Sequence, residues 1–166
     1  LMRTPELAGD IVKAVSDSVK VPVTVKCRMG WDKGNINVLD FSKRMEDNGA
    51  QMLTVHGRTR SMLYSGVADW DMITKVKQQL SIPVIANGDI ISGETAVKCL
   101  KRTGADGVMI HSKSKTPDEV YAFCDAFRKA DPKTPIIVVP TTYNGETEAQ
   151  LAAHGVNVVI HANHLI

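Results

Sequence analysis

Basic, histidine and amide side chains follow short apolar stretches at three places in this chain. Lys26 and Arg28 alternate with Val25 and Cys27, and His56 and Arg58 end a second apolar stretch. Alternate residues of an extended segment share one face, so each basic pair projects the same way. Cations there predict a site for an anionic or electron-rich ligand. The alternative is that Lys26 and Arg28 pair with acids such as Asp89 and only stabilise the fold.

A third polar group and two aromatic residues could extend this site. Asn87-Gly88-Asp89 follows an apolar stretch, where it could bind a ligand or simply form a turn. Tyr64 and Trp70 could stack on a planar ring. Because Trp70 begins an amphipathic segment, packing in the core is the other interpretation.

Six apolar stretches alternate with helical patterns along the chain. The predicted strands cover residues 22–29, 51–56, 83–86, 107–111, 135–139 and 157–161. Helix starts are predicted at Thr4-Pro5, Asn37, Asp69 and Ser92, with a capping box at Thr116-Pro117-Asp118-Glu119. In the first helix, Leu7, Ile11, Val15 and Val19 recur at helical spacing. This alternation predicts a parallel sheet with right-handed crossovers.

The predicted fold class is α/β: a partial TIM-type (βα) barrel with about six parallel strands, truncated at both ends. An open doubly wound sheet is the alternative, and the charged strand ends favour the barrel. No low-complexity linker divides residues 1–166, so we predict a single domain. Six strands cannot close an ordinary eight-stranded barrel, and the exposed strand edges predict possible homo-oligomers.

Composition narrows the function only slightly. The 166 residues carry a net charge of +2, which does not by itself indicate a nucleic-acid partner. Cys27, Cys99 and Cys124 form no CxxC pair, so we expect buried packing thiols and a reducing, cytoplasmic location. No apolar run is long enough to predict a membrane span.

The first two thirds of the chain resemble the flavin-dependent tRNA-dihydrouridine synthases, over about residues 1–110. The matching stretches are Pro22-Val23-Thr24-Val25-Lys26, His56-Gly57-Arg58-Thr59-Arg60, Gly66-Val67-Ala68-Asp69-Trp70, Pro83-Val84-Ile85-Ala86-Asn87-Gly88-Asp89-Ile90 and Thr103-Gly104-Ala105-Asp106-Gly107-Val108-Met109-Ile110. That family uses FMN, with NADPH as electron donor, to reduce uridine in tRNA.

The resemblance implies roles for particular residues. Lys26 and His56 would approach the flavin ring, and Asn87 and Gly88 would line its ribityl and phosphate side. Arg58 and Arg60 would face the flavin mouth or the RNA. A cation near the N1–C2 carbonyl edge stabilises the negative charge of reduced flavin, a role that suits Lys26.

The chain departs from that family at two points. The family's proton-donating cysteine lies upstream of the segment where this chain starts, and no cysteine here occupies its motif. Where the family has a glycine-arginine-glycine phosphate loop, this chain has His111-Ser112-Lys113-Ser114-Lys115. We also expect the family's helical tRNA-binding domain to be absent. We therefore expect impaired catalysis.

From about residue 104 to 166 the chain resembles the phosphoenolpyruvate mutase and phosphonopyruvate hydrolase group of the isocitrate lyase superfamily. The matching stretches are Ile110-His111-Ser112-Lys113, Thr116-Pro117-Asp118-Glu119, Ile137-Val138-Val139-Pro140-Thr141 and Val159-Ile160-His161-Ala162-Asn163-His164. In that group the residue matching His111 contacts the anionic end of the substrate. The group's metal-binding acids have no counterpart here, and His161 and His164, without an acid, do not predict a metal site.

The two resemblances meet near residues 104–111, which suggests a chimera or composite fragment. Three functions stay open on the sequence. The chain could be an FMN-dependent synthase-like oxidoreductase, a non-catalytic barrel scaffold, or a Mg²⁺-dependent enzyme acting on a small keto-acid.

Overall fold

Six helices and six parallel strands alternate along the computed structural model, which describes residues 1–162. The helices are α1 (Pro5–Ser18), α2 (Val38–Asp47), α3 (Trp70–Gln79), α4 (Gly93–Thr103), α5 (Asp118–Ala130) and α6 (Glu148–Ala153). The strands are β1 (Thr24–Arg28), β2 (Met52–His56), β3 (Val84–Asn87), β4 (Gly107–Met109), β5 (Ile136–Val138) and β6 (Val158–Val159). All six predicted strands are present, each shortened or shifted by one to three residues at its ends.

The strands follow their chain order, β1 to β6, in one curled sheet. A doubly wound sheet would reverse direction at a switch point, and this sheet does not. The partial TIM-type barrel is therefore confirmed as the fold class. Within the described residues, β1 and β6 lie at the two edges of the sheet and do not pair with each other.

The two faces of the sheet bury different groups. The outer face and the helices form the main core, which includes Leu53, Val55, Ala86, Val108 and Phe127. The inner face buries a small cluster of Ile85, Met109, Ile137 and Val139. The three cysteines are free and buried, as predicted.

Side-chain caps are present at the starts of three of the six helices, whereas Thr4 and Asn37, at the predicted starts of α1 and α2, make no capping hydrogen bond. The Asp69 carboxylate accepts the amide of Met72 at 2.9 Å at the start of α3, and Ser92 and Thr95 form a capping box on α4. The capping box predicted at Thr116 is wrong. Pro117 occupies the cap position of α5 with helical backbone angles, and Thr116 instead donates its hydroxyl to Asp118 at 2.8 Å.

Helix α1 has the predicted apolar spacing, but its stripe faces outward. Leu7, Ile11, Val15 and Val19 are 51%, 43%, 44% and 41% exposed, whereas Ala8, Gly9 and Val12 pack against the core. The helix therefore packs against α2 through its small residues, where a Cβ on Gly9 would lie 3.1 Å from the Asn48 side chain and 3.2 Å from that of Arg44. None of the helices within residues 1–162 is long and apolar enough to cross a membrane.

Candidate active site

A row of side chains crosses four neighbouring strands at their C-terminal ends. Arg28 of β1 is in register with His56 of β2, His56 with Asn87 of β3, and Asn87 with Met109 of β4. Register partners in a parallel sheet lie side by side, so the ladder alone brings these residues together. This is the end of a βα barrel where catalytic groups are found.

The row forms the floor of a cavity of about 420 Å³, a volume within the usual range for small-molecule sites. The cavity is lined by Lys26, Arg28, His56, Arg58, Tyr64, Asn87, Gly88, Asp89, Ile90, Ile91, Met109, His111, Lys113, Val139, Ile160 and Ala162. Among these described residues Asp89 is the only acid. The lining therefore combines an apolar wall with an excess of positive charge.

The one acid in the cavity is already paired. Arg58 is buried and donates to the Asp89 carboxylate at 2.6 Å and to the carbonyl oxygens of Ser65 and Gly66 at 3.0 and 2.7 Å. The other Asp89 oxygen accepts the amide of Ala68 at 2.6 Å. This network anchors the loop after β2 to the turn after β3. Asp89 therefore pairs with Arg58, and within residues 1–162 neither Lys26 nor Arg28 forms the ion pair that the alternative predicted for them.

Lys26 keeps its charge available. Among residues 1–162 its ammonium forms no ion pair or hydrogen bond, and its side chain is exposed at the edge strand. Partial desolvation lowers its pKa, and the charge of Arg28 lowers it further. Arg28 itself donates to the carbonyl oxygens of Thr59 and Leu63, both at 3.0 Å.

His56 is the buried polar centre of the row. Burial lowers the pKa of His56 to about 3, and the nearby charges of Arg28, Lys26 and Arg58 act in the same direction. The ring is therefore neutral at physiological pH. It can donate one hydrogen bond and accept another without adding charge to the site.

The turn after β3 is shaped around His56. Gly88 has a φ of +111°, and a Cβ placed on it would lie 2.8 Å from Cδ2 of His56 and 2.9 Å from Cβ of Ala68. Only glycine fits this backbone and this contact. The Asn87 side chain donates to the carbonyl oxygen of Met109 at 3.0 Å, and Trp70 donates to the carbonyl oxygen of Gly88 at 3.0 Å. Trp70 thus supports the turn from outside the cavity.

Three side chains from loops form the mouth. The Tyr64 ring lies parallel to the His111 ring, with centroids 6.5 Å apart and planes at 6°. Lys113 Nζ lies 4.3 Å from the Tyr64 ring centroid. Partial burial lowers the pKa of His111, followed by the charges of Lys26 and Lys113.

Most of the residues singled out in the sequence meet here. Lys26, His56, Arg58, Asn87, Gly88 and His111 line the cavity, whereas Arg60 does not and lies over Trp31 instead. Sequence reasoning missed Lys113, Val139 and Ile160. Each follows a strand closely, so position after a strand was the available signal. Asn163 and His164 lie outside the described residues, and within residues 1–162 no cluster of three or more metal-ligating side chains occurs.

Comparison with known proteins identifies the family. The sequence profile of the dihydrouridine synthases (Dus) matches residues 1–143. The chain belongs to this family. It is 62% identical over 109 residues to the probable tRNA-dihydrouridine synthase 1 of Synechocystis, which is 66% of this chain and 31% of that protein. It is 53% identical over 110 residues to tRNA-dihydrouridine synthase B of Pasteurella multocida, covering 66% of this chain and 33% of that protein.

The chain spans about a third of the length of these dihydrouridine synthase relatives. Solved structures extend the similarity across the fold. Phosphonopyruvate hydrolase in complex with oxalate and Mg²⁺ superposes with a TM-score of 0.79 at 26% identity, covering 96% of this chain and 60% of the hydrolase. Phosphoenolpyruvate phosphomutase from Streptomyces platensis gives 0.74 at 25% identity, covering 94% and 60%. Both predicted resemblances are confirmed, and the Dus profile continues past the predicted junction at 104–111.

Proposed function

We propose that this chain forms the flavin-binding part of an FMN-dependent tRNA-dihydrouridine synthase, which reduces uridine in tRNA with NADPH as electron donor. The observation that carries the proposal is the cationic cavity at the strand ends, in a chain of the Dus family. An enzyme of this kind would work in the cytoplasm, which suits three unpaired cysteines.

The residues of the cavity fit a flavin. Lys26 offers an unpaired cation, and the missing Cβ of Gly88 leaves room beside His56. When bound, FMN would supply the hydride for the reduction. Lys26 would stabilise negative charge on the reduced ring, as a cation does at the N1–C2 carbonyl edge.

The other proposed ligands have polar atoms suited to the rest of the cofactor. Neutral His56 would hydrogen-bond to the ring without repelling Lys26 further. Asn87 has its amide nitrogen committed to Met109, so its oxygen is held in a fixed orientation for a hydroxyl. Asn87 and Gly88 would hold the ribityl and phosphate side, and Arg58 would keep their turn in place through Asp89.

We further propose that the chain alone is impaired in catalysis. Burial raises the pKa of Cys27 to about 12 and those of Cys99 and Cys124 to about 11. None of the three, which are all the cysteines in the sequence, lines the described cavity. The chain would therefore bind FMN without a thiol to protonate the uracil ring.

The test is a visible absorption spectrum of the purified protein followed by a titration with FMN. We expect a flavin band and an FMN-dependent rise in melting temperature, with affinity about 10-fold weaker in Lys26→Ala, as expected for losing about 1.4 kcal/mol of charge interaction. His56→Ala should weaken binding as well. Lys101→Ala, an exposed lysine on α4, is the matched control and should leave the affinity unchanged. A colourless protein whose melting temperature ignores FMN would contradict the proposal.

The fold similarity to phosphonopyruvate hydrolase supports a second candidate. A Mg²⁺-dependent enzyme would use His111 and Lys113 to bind the anionic end of a small keto-acid. Its prediction is Mg²⁺-dependent turnover of phosphonopyruvate, which the FMN-binding proposal does not predict. A non-catalytic scaffold, the third candidate, would unfold cooperatively and respond to neither FMN nor Mg²⁺.

A further inference from the structure

An arginine-rich aromatic cluster lies beside the cavity and takes no part in the flavin site. Trp31 is in the loop after β1 and is 37% exposed. The guanidinium carbon of Arg60 lies 4.9 Å from the centroid of the Trp31 ring, and that of Arg3 lies 5.4 Å from it. Both distances are within the range of cation–π contacts. We call Arg3, Trp31 and Arg60 the tryptophan platform.

The two guanidinium groups of the platform are not neutralised. Arg3 and Arg60 are exposed, and within residues 1–162 neither forms an ion pair or side-chain hydrogen bond with a carboxylate. The nearby Asp32 carboxylate instead accepts the amide of Gly34 at 2.9 Å and the side chain of Asn35 at 2.8 Å. The ring therefore orients two cations while leaving their hydrogen-bond donors available.

The backbone holds the platform in place. The amide of Arg60 donates to the carbonyl oxygen of Gly30 at 2.9 Å, and the amide of Ser61 donates to that of Trp31 at 2.9 Å. These bonds join the loop after β1 to the loop after β2. Trp31 also donates its own amide to Asn35 at 3.1 Å. The positions of the ring and of Arg60 are thus set by main-chain contacts.

The platform adjoins the mouth of the cavity. Arg60 is two residues from the cavity residue Arg58, and Tyr64, which lines the mouth, is four residues further along the same loop. Arg28 lines the cavity and donates to Thr59 and Leu63 of that loop. The platform and the cavity therefore share one piece of backbone and one cationic rim.

We propose that the tryptophan platform binds the phosphate backbone of an RNA whose nucleotide enters the cavity. This inference rests on the proposed function, because a uridine can reach a concave site only if its flanking phosphates pass over the rim. Guanidinium groups bind phosphate through paired donors, and an aromatic ring beneath them keeps those donors directed outward. The cations of this rim outnumber Asp32, the one carboxylate near the platform that has no ion pair within residues 1–162, and this excess of positive charge suits a polyanion.

The experiment measures binding of an unmodified transcribed tRNA by filter retention at several salt concentrations. The double variant Arg3→Ala/Arg60→Ala should bind at least 10-fold more weakly at low salt. Its slope of log affinity against log salt should fall by about 1.4–1.8, the value for two lost phosphate contacts. Lys101→Ala/Arg102→Ala removes the same charge from α4, away from the cavity, and should leave the slope unchanged. Trp31→Ala should weaken binding, and Trp31→Phe should restore most of it because a ring remains.

Two results would overturn the proposal that the tryptophan platform binds RNA. One is a double variant whose RNA affinity and salt dependence equal those of the α4 control, and the other is an unaltered protein that retains no RNA at low salt. FMN titration of the same samples separates this inference from the proposed function. The platform variants should bind FMN with unaltered affinity. A protein that binds RNA through the platform but ignores FMN would refute only the flavin proposal.

Discussion

The two parts of the chain on either side of residue 110 use their polar side chains differently. In the first part, two polar groups at strand ends have partners inside the site: Arg58 with Asp89, and Asn87 with Met109. In the second part, β5 and β6 are followed by apolar Val139 and Ile160, which form a wall of the cavity. The polar network there lies among the helices and loops, where Arg128 donates to the carbonyl oxygens of Gly155 and Thr134.

The first part thus supplies most of the polar groups of the site, whereas the second part mainly supplies the shape of the cavity. The part with close sequence relatives supplies the floor of the cavity and most of its charge, whereas the second part completes the sheet and contributes His111 and Lys113 at the mouth. A fold can thus be shared widely while the polar strand ends differ between families. Substitutions in the two parts should therefore have different effects on stability and binding.

The largest effect is expected at Gly88. Alanine there must adopt a φ of +111° and place its Cβ against His56 and Ala68. Backbone strain and overpacking together should cost about 3 kcal/mol of unfolding free energy. Urea denaturation measures this loss. Gly145→Ala in the second part, where a Cβ meets nothing within 4 Å, is the control and should change the stability little. Equal losses of unfolding free energy in Gly88→Ala and Gly145→Ala would show that the turn after β3 is no more tightly constrained than the loop at Gly145.

Next in size is the ion pair between Arg58 and Asp89. Asp89→Asn removes the charge while retaining a residue that tolerates the left-handed backbone (φ 57°) found there. Because the Arg58 side chain is only 6% exposed, its unpaired charge should cost about 2 kcal/mol. The matched change in the second part is Asp125→Asn, which breaks an exposed contact with His154 and should cost under about 0.5 kcal/mol. If Asp89→Asn and Asp125→Asn shifted the denaturant midpoint by the same small amount, Arg58 would have found another partner in Asp89→Asn.

The pH dependence of stability tests the neutral state of His56. Its pKa is about 3 in the folded protein, below the ordinary value of 6.5 that we expect in the unfolded chain. The unfolded state therefore binds more protons below pH 6.5, and stability falls as the pH decreases towards 3. Between pH 7 and 5 this histidine should account for about 1.9 kcal/mol.

Comparison of thermal unfolding across that range in the protein and in His56→Gln isolates the contribution of this ring. The lowered pKa of His111 adds a loss in the same direction, and His56→Gln leaves that part in place. A pH profile that His56→Gln does not flatten would mean that His56 is charged in the folded state.

The smallest effect has the opposite sign. The Tyr143 hydroxyl is buried and has no hydrogen-bond partner within the described residues. Replacement by phenylalanine removes an unsatisfied polar group and should stabilise the protein by about 1 kcal/mol. In contrast, Tyr121→Phe loses a hydrogen bond to Glu146 and should not stabilise it. A lower melting temperature for Tyr143→Phe would show that the hydroxyl is satisfied in solution.

Most of the fold could be predicted because its signals are local. Apolar strands of two to five residues, a carboxylate cap at Asp69 and a serine cap at Ser92 each depend on a few neighbouring residues. The outward stripe of α1 was not predictable in the same way. Periodicity defines the faces of a helix, but which face of α1 meets α2 depends on how closely small residues such as Gly9 allow the two helices to approach.

The same distinction between local signals and contacts of distant segments applies to the site. Lys26, His56 and Asn87 were predicted near one another because parallel strands align their ends. The sheet register does align His56 with Asn87, Lys26 lies two residues before the Arg28 that pairs with His56, and all three line the cavity. Which acid pairs with which cation, and the placement of Arg60 over Trp31, depend on the paths of loops that are distant in sequence. Loop geometry carries no simple periodicity, so those contacts required the structure.

The in-register row from Arg28 to Met109 has a consequence for how such sites diversify. Neighbouring strands lie about 4.8 Å apart, so four rungs span about 14 Å at a pitch fixed by the main chain. Any one rung can exchange its side chain without moving the others, because hydrogen bonds between peptide groups set the spacing. The main chain of the sheet thus fixes where each side chain is presented, and single substitutions can change the specificity of the site one position at a time.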